Sequence, residues 1–383
     1  MHIEPPERAL LIEALALDPG SEITLISREP LGGGTVAGFA VASAEGRLTY
    51  YVDTSRRRVA LETGVLDGTP DDPSVRVWLH PSDPHLPALA AAAFSQAAET
   101  LLDRLGVRVT GMPEMVAYRP GRRAVLRVPV GDAFAWVKAV LPSRTPAIVD
   151  AHHALADAGV PVPALRGWSE AGLVVWDDAL GVPAQDAAWT PDGLLDDVDA
   201  LRDRLAGVAI SRSARTHLVR RLEWYADRLD AVLPDEWRLV AAGTAARARA
   251  SWGEEPAVTI HGDLHFGQLF LDEGPRVSSV IDVDTAGRGE PSDDTAAFLS
   301  HAIASALLTP APRDERLWEL ADNAMRRWDT AGSGLRARAA THLLGHAIGA
   351  WELGDRQRAE LLLRAADGVS LGRVEPLPTS TRT

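Results

Sequence analysis

Through residue 80 the chain alternates apolar and polar positions in short runs, EITLISREP, VAGFAVAS, RLTYYVDT and SVRVWLHP, each bounded by Gly, Pro or Asp. A two-residue period rich in β-branched and aromatic side chains predicts strands. The pattern then changes to LPALAAAAFSQAAETLLDRLG, residues 86–106, which predicts one long helix ending at Gly106. Strands return in PEMVAYRP, RRAVLRVPV (after a turn at Pro120-Gly121) and FAWVKAVL; AIVDAHHALADAG reads as a helix and GLVVWDD as a buried strand. From about residue 190 the apolar spacing is helical, in LLDDVDALRDRLAGVA, ARTHLVRRLEWYADRLDAVL and EWRLVAAGTAARARASW, with arginine on the outer faces. Strands interrupt this at 257–284, helices resume from 292 to about 368, and VEPLPTSTRT predicts a disordered tail. No internal repeat is present. The fold class is α+β: a strand-rich front over 1–110, a small mixed lobe over 111–180, a larger helical lobe over 181–368, and a tail over 369–383.

A chain of 383 residues suits two or three domains, and 46% hydrophobic with 24% charged residues is the composition of a soluble globular protein. No run approaches the ~18 apolar residues of a membrane span. The start, MHIEPPERALL, lacks a basic and apolar leader, so a cytoplasmic location is expected. Cysteine is absent, which excludes disulfides, thiolate metal sites and cysteine nucleophiles. A net charge of −14 argues against nucleic acid or an anionic membrane as partner. It suits a cationic substrate, or solubility alone. Oligomeric state is not readable.

Polar chemistry is densest in VTIHGDLHFGQLFLDEGPRVSSVIDVDTAG. Asp263 sits mid-loop, Gln268 follows five residues later, and Asp282 comes fourteen residues after that, at the end of an apolar strand. A carboxylate ending a buried strand is costly unless it is paired or holds a cation. Phosphoryl transfer uses such a set: one carboxylate orients the attacking hydroxyl, while an amide oxygen and a second carboxylate hold Mg²⁺. The same stretch also reads as H-x-D-x-H, so that His261 and His265 with Asp282 and Asp284 would make a metallohydrolase site. A second oddity is Lys138 in AWVKAV, the only lysine in an arginine-rich chain. Lysine is a compact point charge on a thin stem, where arginine is a wide planar fork. LGGGTVAG at 31–38 lacks the G-K-[S/T] ending of a phosphate loop and reads as a hairpin turn.

HGDLHFGQ followed by VIDVD resembles the catalytic loop and metal motif of the aminoglycoside phosphotransferase and choline kinase family, over roughly 110–365. The resemblance implies a protein-kinase-like bilobal fold behind a strand-rich N-terminal cap, with ATP and Mg²⁺ as cofactors. Asp263 would be the catalytic base, Gln268 and Asp282 the Mg²⁺ ligands, and His261 a scaffolding residue. Most family members have Asn at position 268; Gln resembles the branch of actinobacterial maltokinases and glucosamine kinases. Lys138 would grip the α- and β-phosphates, with Asp150, or else Asp157, as its acidic partner. Arg122 and Arg123 in RPGRRA would touch phosphate or stay solvated, and the backbone from Trp176 through Asp177 to Ala179 would meet the adenine edge.

The acceptor would be a small molecule, a sugar or amino sugar. His265 and Asp284 lie beside the reaction, Asp284 either orienting the metal ligands or touching substrate. Trp351, Glu352 and Asp355 would line the pocket from one late helix. Asp293 and Asp294 begin a helix, where carboxylates satisfy free N–H groups. The rival in a different class is a nucleotide-binding pseudokinase whose metal site is damaged by Gln268.

Overall fold

The computed structural model describes residues 5–18, 20–44, 46–214, 218–332 and 334–376. The chain divides into two units. Unit 1 comprises residues 1–149 and 164–178, and unit 2 comprises residues 150–163 and 179–383.

Unit 1 opens with a helix that the strand-rich reading omitted, α1 (Glu7–Leu15), then β1 (Ile23–Leu31), β2 (Gly34–Ser43), β3 (Gly46–Asp53), β4 (Val65–Gly68) and β5 (Pro73–Leu79). These strands form an antiparallel sheet in the order β1-β2-β3-β5-β4. Leu11 of α1 packs on Ala37, Phe39, Val41, Val52 and Val77, every second residue of their strands, as the period-2 pattern requires. Within 31–38, Gly32 and Gly33 make the β1–β2 hairpin turn, and Gly34 and Gly38 belong to β2.

The single helix expected at 86–106 is two, α2 (Leu89–Ala93) and α3 (Ser95–Asp103), because Phe94 is extended at φ −96° and ψ 127°. A continuous helix at 100° per residue would carry Leu102 about 140° round from Leu89. The break lets both join one core with Ala124, Leu126, Val128 and Val137. That core lies on the second antiparallel sheet, β6 (Glu114–Arg119), β7 (Arg123–Val130), β8 (Ala133–Val140), β9 (Leu165–Ser169) and β10 (Leu173–Asp177), ordered β6-β7-β8-β10-β9. Helix α4 (Thr145–Asp157) joins β8 to β9 and runs from unit 1 into unit 2.

Unit 2 contains β11 (Val182–Pro183), α5 (Pro191–Ala206), α6 (Leu218–Val232), α7 (Asp235–Ala250), β12 (Val258–Ile260), β13 (Leu269–Leu271), β14 (Val277–Val280), β15 (Gly287–Gly289), α8 (Pro291–Leu308), α9 (Glu315–Trp328), α10 (Leu335–Glu352) and α11 (Arg356–Ser370). Its strands make a three-stranded sheet, β11-β13-β14, and the pair β12-β15. Helix α8 is buried along nearly its whole length, so its apolar residues encircle it rather than forming one stripe. Of the tail expected over 369–383, the first residues are ordered, since α11 runs to Ser370 and Val374 packs on the core; residues 377–383 lie outside the described residues. No helix among the described residues is long and apolar enough to cross a membrane.

Candidate active site

The loop 261–268 of unit 2 leaves β12 and turns at Gly262, whose φ of 85° favours glycine. Its geometry is imposed from α8. The Asp294 carboxylate, 1% exposed, accepts the backbone N–H groups of His261 and Gly262, each at 2.8 Å. The side-chain hydroxyl of Thr285 donates to the His261 carbonyl at 2.8 Å, and the fully buried His261 ring pairs through Nε2 with the Ile281 carbonyl at 3.0 Å. Asp294 therefore serves the loop rather than its own helix terminus. Asp293, its neighbour, accepts from the buried guanidinium of Arg338 at 3.0 Å.

Held this way, the half-buried Asp263 carboxyl lies above its ordinary pKa range. Burial is the largest cause; the charges of Asp282 and Asp294 add to it, while His261 and Arg221 oppose it. Strand β14 ends at Val280, so Asp282 does not terminate a buried strand as expected; it is exposed, two residues further on, with left-handed backbone at φ 58° and ψ 29°. A non-glycine residue there costs about 1–2 kcal/mol, and Asp is among the side chains that tolerate it best. Asp284 follows, half-buried in the short turn Val283–Thr285, with its carbonyl accepting from Arg212 at 3.0 Å.

Gln268 is 4% exposed and closes the short 3-10 turn Phe266–Gln268. Its Oε1 accepts the His265 N–H at 3.3 Å, and the His265 ring accepts the Gln268 N–H in return. His265 stacks on His301 of α8, ring centres 4.1 Å apart at 15°, and His301 meets His346 of α10 edge-on at 4.8 Å. Burial pushes His265 down to about 4, with His261 and His346 adding and Asp282 opposing. His261 faces the Ile281 carbonyl rather than His265 or Asp282, and among the described residues no three His, Cys, Asp or Glu groups are arranged to hold a metal. The metallohydrolase arrangement is not formed.

The remaining acceptor candidates lie at the end of α10 and the start of α11. Trp351 and Glu352 end α10, but Asp355 is the N-cap of the next helix, α11, and accepts the Arg358 N–H at 3.0 Å; the three do not share a helix. Glu352 pairs with Arg228 at 2.8 Å, and the Arg356 guanidinium lies 3.5 Å from the Trp351 ring centre. Sequence reasoning missed His301, His342 and His346. The signal was there in T-H-L-L-G-H, which puts two histidines four apart on one helix face.

In unit 1, Lys138 is 4% exposed in β8, opposite Val125 of β7 and Val174 of β10. It points to the sheet face opposite Ala135, Val137 and Ala139, which pack against α2 and α3. The turn after β6 is fixed from the loop that follows β5 and from the end of β1. Asp83, 1% exposed, accepts the Gly121 N–H at 2.7 Å, the Tyr118 hydroxyl at 2.9 Å and the His85 N–H at 2.8 Å. A Cβ on Gly121, whose φ is 66°, would meet Leu31 at 2.6 Å. Arg122 donates to the Pro30 carbonyl, and Arg119 pairs with Glu29 at 2.7 Å. Arg122, expected at phosphate or in solvent, thus has a bond within unit 1; Arg123 opens β7 opposite Arg119 and Val140. In β10, Trp176 and Asp177 are half-buried, with Asp177 paired to Arg166, and Asp178 just beyond accepts from the Trp136 indole at 2.8 Å. Ala179 begins the second segment of unit 2, and Asp150 and Asp157 are exposed on α4.

A family profile described as the phosphotransferase enzyme family matches residues 48–330. No curated protein sequence matches. Among solved structures, the apo form of a thermostable mutant of aminoglycoside phosphotransferase APH(4)-Ia is similar at TM-score 0.53 and 19% identity, covering 71% of this chain and 98% of that one. Mutants of the same enzyme in ternary complexes match at TM-score 0.51 and 18% identity with ADP and hygromycin B (72% and 98% covered), and at 0.52 and 18% with AMP-PNP and hygromycin B (71% and 97%). At these identities the likeness is one of fold.

Proposed function

Since this chain belongs to the phosphotransferase enzyme family, we propose that it transfers the γ-phosphoryl group of ATP, with Mg²⁺, to a hydroxyl of a sugar or amino sugar, and that it sits with the sugar-kinase branch. The carrying observation is the loop around Asp263, pinned through two backbone N–H groups by a buried carboxylate on a different element. The branch assignment rests on Gln268 alone; a carbohydrate-metabolic role goes with it, and a cytoplasmic location is part of the proposal on separate grounds of sequence.

Asp263 accepts the proton of the acceptor hydroxyl as that oxygen bonds to the γ-phosphorus and the bond to the β-bridging oxygen breaks. Its raised pKa brings its basicity nearer to neutral pH, which suits a general base. Oxygen donors suit Mg²⁺, which is bound through one or two protein groups plus substrate phosphates rather than in an all-protein cage. Asp282 and Gln268 fit that pattern: one exposed carboxylate whose charge acts on Asp263, and one amide oxygen held by a single long hydrogen bond. When bound, the ion neutralises phosphate charge. Lys138 grips the α- and β-phosphates as a point charge. Trp176, Asp177 and Ala179 offer backbone groups to adenine. Asp284, His265, Trp351, Glu352 and Asp355 are the acceptor candidates.

A nucleotide-binding pseudokinase is the second reading, favoured by the turn of Gln268 Oε1 back onto its own loop. ADP release with and without Mg²⁺ against a panel of sugars and amino sugars separates the two. Mg²⁺-dependent, acceptor-dependent release supports the kinase; bound nucleotide with no release on any acceptor supports the rival.

A further inference from the structure

Four histidines from three separate segments meet in unit 2. His265 stacks on His301, His301 meets His346 edge-on, and His342 lies one turn before His346 on α10. All four are half-buried. The Nε2 atoms of His342 and His346 are shielded from solvent and have no hydrogen-bond partner among the described residues. Buried orphan nitrogens cost about 1–3 kcal/mol each, so two on one helix face need an explanation.

The electrostatic surroundings narrow the explanation. Burial lowers His301 to about 2, His342 to about 3 and His346 to about 4, so each ring is neutral at physiological pH. The charges acting on His342 and His346 are positive, Arg221 of α6 and Arg358 of α11. A carboxylate, Asp282, acts on His265, at the end of the set nearest Asp263. A neutral imidazole carries one donor and one acceptor, matching a hydroxyl. An ammonium group, which only donates, would meet guanidiniums at His342 and His346, Arg221 and Arg358, while the Asp282 carboxylate acts at His265.

We propose that His265, His301, His342 and His346 form the acceptor wall of unit 2, selecting a polyhydroxylated acceptor with no ammonium group where it meets them. This rests on the phosphotransfer reading and narrows it from sugar or amino sugar to an uncharged sugar face. His301 is a positioning residue: its ring backs His265, which follows Asp263 by two residues.

The test combines ¹⁵N-histidine NMR of the full chain with kinetics, using maltose, glucosamine and kanamycin as probes. The expected result is that maltose shifts the ring nitrogens of His342 and His346 while kanamycin does not. His346→Leu should raise the acceptor KM about tenfold, the worth of one hydrogen bond, with the ATP KM unchanged. His301→Ala should do the same, and His301→Phe, which keeps a stacking ring, should restore it. An unchanged acceptor KM in His346→Leu, or kanamycin as the preferred acceptor, overturns the wall while phosphotransfer stands. Failure of the wild type to phosphorylate any acceptor overturns the phosphotransfer reading and this one with it. The NMR titration uses the wild type, so it decides the matter even where a variant does not fold.

Discussion

Asp294 is the residue on which the geometry of the 261–268 loop most depends. Its buried carboxylate takes two backbone N–H groups at 2.8 Å, and each hydrogen bond to a charged group is worth about 1.5–3 kcal/mol. Asp294→Ala removes the acceptor from both and leaves two buried donors, so the loss of stability should be about 3–5 kcal/mol. That is a large share of the ~5–15 kcal/mol that holds a domain together. Asp294→Asn keeps one oxygen and turns an NH₂ group toward the second donor, which should cost about half as much. The Thr285 and Ile281 tethers of His261 survive either change, so the loop shifts rather than unravels. A shift of ~1 Å at Asp263 should lower kcat ~10²-fold. Urea unfolding gives the stability, steady-state kinetics give kcat, and hydrogen exchange at Gly262 reports the local bond. A loss below about 0.5 kcal/mol for Asp294→Ala, with normal kcat, would refute the reasoning.

Three further outcomes follow from other parts of the chain. Lys138→Arg keeps the charge but not the compact shape, and should raise the ATP KM ~10-fold or more, the equivalent of one charge-assisted hydrogen bond; an unchanged KM would show that shape is irrelevant. Asp83→Ala orphans the Gly121, Tyr118 and His85 donors, and should cost about 3 kcal/mol in a denaturant melt and raise the ATP KM but not the acceptor KM. Asp263→Asn should stabilise the protein at neutral pH. The folded carboxyl has its pKa raised above the unfolded value, so wild-type stability falls as pH rises through that window and Asn abolishes the fall; parallel stability–pH curves for the two proteins would contradict this.

The chemistry was more legible than its supports. A lone lysine in a strand and an HGD loop stand out by residue type and spacing alone. The residues that hold them in place do not stand out, because their partners are far away in sequence. Asp294 reads as a helix-start carboxylate, yet its partners lie 32 and 33 residues upstream. Asp83 reaches Gly121 across 38 residues. His301, His342 and His346 sit in helices whose spacing reads as ordinary packing, and only the fold stacks them behind His265. The helix break at Phe94 has no Gly or Pro to mark it; the geometry of one shared core makes it. Asp282 was expected to be buried because the strand before it is apolar, but β14 stops two residues short and leaves the carboxylate exposed.

Asp263→Asn, tested with a phosphorylatable sugar, ATP and Mg²⁺, bears most directly on the account. Phosphoryl transfer followed by ³¹P NMR, beside ATP affinity by calorimetry, should show kcat reduced ~10²–10⁴-fold with nucleotide binding within about twofold of wild type. Undiminished turnover in that variant would contradict the account.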